Sequence, residues 1–187
     1  MRSHPADDRL FGTAESGLTA SFLMSPRAHA ACAREFSRIA TDVSDRLTNA
    51  QLAVGGDAPT VRLAPNRCIV QCGPVALTVT WLCGAGDSVV GGELLAIVWS
   101  GTIAPRGDPI PERPRAGRAV APVALWESTF RPVAGDAASW AWQNIANEER
   151  ALTSSALALL CVEQITLARG AAPALVAAGS TLNPPTA

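Results

Sequence analysis

The sequence predicts an α+β fold of two layers. An antiparallel meander of four to five strands is covered on one face by a long N-terminal helix and by C-terminal helices. Three observations predict this. Residues 26–54 carry apolar side chains at helical spacing. Residues 60–133 hold successive short runs of alternating, β-branched and aromatic residues. Helical patterns return only after Asp136. Strands that follow one another through brief connections favour a meander, and helices kept outside the strand run favour segregated layers. At 187 residues the chain fits one domain with a sizeable core. The expected organisation is an N-terminal segment over 1–24, a single domain over 25–170 and a disordered tail over 171–187 rich in Ala, Pro, Ser and Thr.

In chain order, Gly17–Met24 fits a short edge strand. Ser25 then suits a helix N-cap and Pro26 the first helical position. Phe36, Ile39, Val43, Leu47 and Val54 form an apolar stripe, with Arg34, Arg38, Asp42, Asp45 and Arg46 on the other side and Gly55-Gly56 as the stop. Thr60–Leu63 and Arg67–Cys72 read as two short strands around Pro65-Asn66. The hairpin of Pro74–Ile103 is the centre of the chain. Val75, Leu77, Val79 and Trp81 alternate with Ala76, Thr78, Thr80 and Leu82. In its second strand Leu95, Ile97, Trp99 and Ile103 alternate with Leu94, Ala96, Val98, Ser100 and Thr102. The face carrying one large aromatic per strand (Trp81, Trp99 and then Trp126) is assigned to the helices.

Residues 104–122 are too rich in Pro, Gly and Arg for regular structure and read as an exposed excursion. Val123–Val133 is the last predicted strand, with Trp126 and Phe130 inward and Glu127, Thr129 and Arg131 outward. Asp136 reads as the cap of a short helix holding Trp140, Trp142 and Ile145. Thr153 caps a final helix, Ser154–Arg169, that Gly170 ends.

Composition excludes several chemistries. The chain has no lysine and no tyrosine, and its histidines are His4 and His29. A P-loop or Schiff-base lysine, a tyrosine acid–base and a three-histidine zinc site are therefore absent. With 15 basic and 16 acidic residues, neither nucleic acid nor an anionic membrane is an expected partner. No basic start leads into an apolar run, and no apolar stretch reaches membrane-spanning length, so a cytoplasmic location is expected. The five cysteines are then reduced and mostly buried.

Three motifs remain. The Cys83–Gly92 loop is glycine-rich, but position 89 is Val89 and a strand pattern follows, so it is not a dinucleotide loop. Cys68 and Cys72 on one strand would lie about 13 Å apart, too far to share a metal. His29 and Cys32, one helical turn apart, would have to complete a zinc set, and buried thiols are the plainer reading. Neither metal nor cofactor is expected. Cys83 is the best nucleophile, with backbone amides of Gly84–Gly86 for an oxyanion, Asp87 nearby and His29 as the internal base. This thiol-hydrolase or small-ligand reading is the alternative. The preferred reading is a non-catalytic binding or adaptor domain. Thr78, Thr80, Val98, Ser100, Thr102, Glu127, Thr129 and Arg131 would share a semi-apolar, uncovered sheet face that docks a protein partner or a second copy as a homodimer.

Overall fold

The computed structural model describes residues 22–53, 58–85, 88–103, 121–134, 140–148 and 151–180. Helix α1 spans Pro26–Ala53. Seven strands follow: β1 Thr60–Ala64, β2 Arg67–Cys72, β3 Val75–Leu82, β4 Glu93–Ser100, β5 Val123–Ala134, β6 Trp140–Asn144 and β7 Ala151–Leu152. Helix α2, Ser154–Ser180, closes the order. The strands form one antiparallel sheet in the order β1 to β7, each paired with its sequence neighbours. The two-layer α+β class therefore holds, with more strands than predicted.

The helix starts follow the local chemistry. The Ser25 hydroxyl accepts the Ala28 amide at 3.3 Å, and the Thr153 hydroxyl accepts the Ala156 amide at 3.2 Å, so each caps its helix. Phe36, Ile39, Val43 and Leu47 of α1 are buried, as their spacing predicts. With Leu157, Ala158, Cys161 and Ile165 of α2 they pack on Val70, Val75, Leu77, Val79, Leu94, Val98, Phe130 and Trp142 of the sheet. Helix α2 crosses β3, β4, β6 and β7, and α1 lies along α2.

Four expectations are corrected. Trp140, Trp142 and their neighbours form strand β6, not a helix, so the C-terminal end supplies one helix. Trp140 and Trp142 share a side at strand spacing and meet edge-on, with ring centroids 5.6 Å apart, and Trp142 meets Trp81 at 6.0 Å. That aromatic contact needs the period of two. Helix α2 runs through Gly170 to Ser180, ten residues into the expected tail, along an alanine-rich stretch that favours helix. Phe22 and Leu23 make a helical turn ahead of Ser25, where the tail of an edge strand was expected.

The fourth correction concerns β4. Leu94 pairs with Trp81, Ala96 with Val79, Val98 with Leu77 and Ser100 with Val75. Residues directly opposite share a face. Val98 and Ser100 thus lie on the helix-covered side, and Leu95, Ile97 and Trp99 join Thr78 and Thr80 on the other. The physical reason is the closeness of the helix layer. The smaller set of Ala96 and Val98 lets α2 approach β4, and both are fully buried.

Candidate functional site

The helix-free face of the sheet is built from alternate residues of five strands. Its rows follow from register. Arg62, Ile69, Thr78, Ile97 and Glu127 form one row across β1 to β5, and Ala64, Arg67, Thr80, Leu95 and Thr129 form the next. Among the described residues no helix or strand lies over this face. Its margins are polar and exposed at Arg62, Glu127 and Arg131, and Thr80, Leu95, Trp99 and Thr129 are half-buried. Its floor is well screened even so: Ile69, Thr78 and Ile97 are only 5%, 3% and 9% exposed. The Trp99 indole nitrogen donates to the Thr78 hydroxyl at 2.9 Å, which lays the ring across the middle of the face.

Two polar groups define the ends. Gln71 donates to the carbonyls of Gly73, Val75 and Gly101 and accepts the Ile103 amide at 3.2 Å, tying the β2–β3 turn to the end of β4. Arg131 donates to Gln143 and to Glu148, the latter at 2.8 Å, in an exposed network. On β2 the Arg67 Nε is buried and has no hydrogen-bond partner. A buried donor left in that state costs about 1–3 kcal/mol.

Of the residues expected on this face, Thr78, Thr80, Glu127, Thr129 and Arg131 are there. Val98 and Ser100 are beneath the helices, and Thr102 is exposed beyond the end of β4. Sequence reasoning missed Ile69, Leu95, Ile97 and Trp99. The signal that could have found them is the pairing of β2 with β3, since Ile69 faces Thr78.

The thiol chemistry is arranged differently from the alternative reading. Cys83 is exposed at the end of β3, and the other four cysteines are buried. Burial pushes the Cys32 thiol up to about 12, with nearby Cys83 adding to the rise. Burial likewise raises Cys68 to about 11 and Cys161 to about 12, and it raises Cys72. None of these is suited to be a thiolate near neutrality. The Gly84 amide, expected to serve an oxyanion, instead donates to the Ser88 carbonyl at 2.8 Å and closes the loop. A side chain at Gly84 would collide with the Val90 carbonyl, so this glycine answers a steric demand of the loop. His29 is exposed on α1 and, with Ser88, lines a hollow of about 470 Å³. A second hollow of about 500 Å³ adjoins it at Leu23 and Val89. Asp87 lies outside the described residues. Among the described residues no group of three or more His, Cys, Asp or Glu is placed to hold a metal ion, and no helix is long and apolar enough to cross a membrane. Cys68 and Cys72 sit two pleats apart on the helix-covered side of β2.

Compared with protein-family models, curated proteins and solved structures, the chain matches none of them.

Proposed function

We propose that this chain is a non-catalytic binding or adaptor domain that docks a protein on the helix-free face of its sheet. The observation that carries the reading is that face itself. It is apolar at Leu95 and Trp99, hydroxyl-bearing at Thr80 and Thr129, edged by charge, and holds a buried guanidinium nitrogen without a partner. A mixed surface of this kind, with an aromatic and an arginine near its centre and polar residues at its rim, has the make-up of a protein interface. A cytoplasmic location accords with five free thiols, which persist in a reducing compartment.

The test compares proteins retained by the immobilised wild type, by Leu95→Asp on the helix-free face and by Leu159→Asp on the exposed side of α2. Leu95→Asp is expected to lose what the wild type retains, and Leu159→Asp to keep it. Equal retention by both variants would remove the face from the reading.

A further inference from the structure

We propose that Cys83 and Cys32 form an oxidant-sensing pair: hydrogen peroxide oxidises the exposed Cys83, and Cys32 resolves it as a disulfide that clasps α1 to the β3–β4 loop.

Three placements bring the two thiols together. Along β3, Val75, Leu77, Val79 and Trp81 face the helices and are buried, and Cys83 follows at the same period of two, just past the strand end. The loop it opens is tied back on itself. The Gly84 amide donates to the Ser88 carbonyl at 2.8 Å, and the Ser88 hydroxyl accepts the Val90 amide at 3.0 Å. Ser88 and Val89 share a hollow with Pro26 and His29 of α1. Cys32 lies one turn beyond His29, and with Val89 and Trp81 it belongs to the same buried cluster. Cys83 is near enough to Cys32 to disfavour the Cys32 thiolate.

Exposure divides the work. Cys83 is the exposed thiol, and Cys32 is 2% exposed. Cys161 also has a thiol neighbour, Cys68, but both of these are buried away from any oxidant. Cys83 is therefore the thiol that meets peroxide first. It loses its proton, and its sulfur attacks one peroxide oxygen. The O–O bond breaks, and the second oxygen leaves as hydroxide and takes up that proton as water. Cys83 is left as a sulfenic acid. Cys32 then gives up its proton, and its sulfur attacks the Cys83 sulfur. The S–S bond forms, the S–O bond breaks, and the departing hydroxide takes the Cys32 proton to leave as a second water. The two thiols together lose two electrons and the peroxide gains them.

Burial pushes Cys32 up to about 12, so the second step waits on a thiolate that is scarce near neutrality. The sulfenic acid at Cys83 therefore accumulates before the disulfide forms. A reducing compartment keeps the pair open at rest, in keeping with cysteines that are all free.

Peptide mapping of the full chain tests this, with the folded protein treated with hydrogen peroxide, then unfolded and capped with N-ethylmaleimide. Trypsin releases residues 28–34 with Cys32, and residues 68–106 with Cys68, Cys72 and Cys83. A chymotryptic cut after Trp81 then separates Cys83 from the other two. The peptide of Cys32 is expected joined to the one of Cys83, and dithiothreitol is expected to free it. Dimedone added with the peroxide is expected to mark Cys83 and to prevent the join. Cys32→Ser is expected to raise that mark several-fold, and Cys32→Ala makes the same comparison if serine at the buried position does not fold. Cys32 recovered with the maleimide cap after Cys83 has been oxidised overturns the proposal. So does Cys32 joined to another cysteine, or Cys83 untouched by peroxide.

Discussion

The Ser154 hydroxyl accepts from the Trp142 indole at 3.0 Å and donates to the Glu35 carboxylate at 2.7 Å, so one side chain joins β6, α2 and α1. Trp142 is fully buried, whereas the Glu35 carboxylate keeps some exposure and lies 3.6 Å from Arg38. Ser154→Ala would strand the indole N–H where water cannot reach it. The expected cost is about 1–3 kcal/mol, read as a lower urea midpoint. Ser155→Ala, which removes only an exposed bond to Asp42, is expected to stay within about 0.5 kcal/mol. Equal midpoints for the two variants would mean that the Trp142 donor is satisfied in another way. At this scale the sequence was legible where a residue acts on its own backbone, as Ser25 and Thr153 do. It was not legible for Ser154, because its partners are 12 and 119 residues away.

Strand β4 is the element whose orientation decides the candidate site. Its two sides, Leu94, Ala96 and Val98 against Leu95, Ile97 and Trp99, are about equally apolar, so alternation shows a strand without showing which side is covered. Only its pairing with β3 orients it. The consequence is testable with one charge placed on either side. Val98→Asp puts a carboxylate into the closed core and is expected to prevent cooperative folding, since burial of such a charge costs several kcal/mol. Leu95→Asp, on a half-buried site, is expected to retain the wild-type circular dichroism spectrum and a cooperative transition. The opposite outcome would return β4 to the orientation its tryptophan suggests. Strand β6 shows the same limit from another side. Trp140 and Trp142 fit strand spacing, but with Ile145 they also fit a short helix. The Trp81 contact that settles the matter lies some sixty residues upstream. Helix α1 was legible because its cap, first-position proline and apolar stripe agree.

The whole molecule keeps its buried thiols protonated well above their ordinary value of 9.0, to about 12 for Cys32 and Cys161 and about 11 for Cys68. The unfolded chain releases those protons at ordinary values, so the folded chain binds more protons in this window. Stability is then fully present below 9.0 and falls as pH rises toward about 12. With no tyrosine and no lysine in the sequence, the thiols are the side chains that titrate there. Urea midpoints are expected to drop through this range while the four buried thiols contribute their thiolate absorbance on unfolding. A constant midpoint, or thiolate absorbance from all five cysteines in the folded chain, would contradict the burial of these groups. The sheet order adds a constraint of a different kind. The seven described strands are all made before Ser154, and the helix that covers their middle is made after them. During synthesis the inner face of the sheet, from Val70 to Trp142, therefore waits for its lid until the ribosome has released α2. A nascent chain stalled at Leu152 would display that apolar surface to every chaperone within reach.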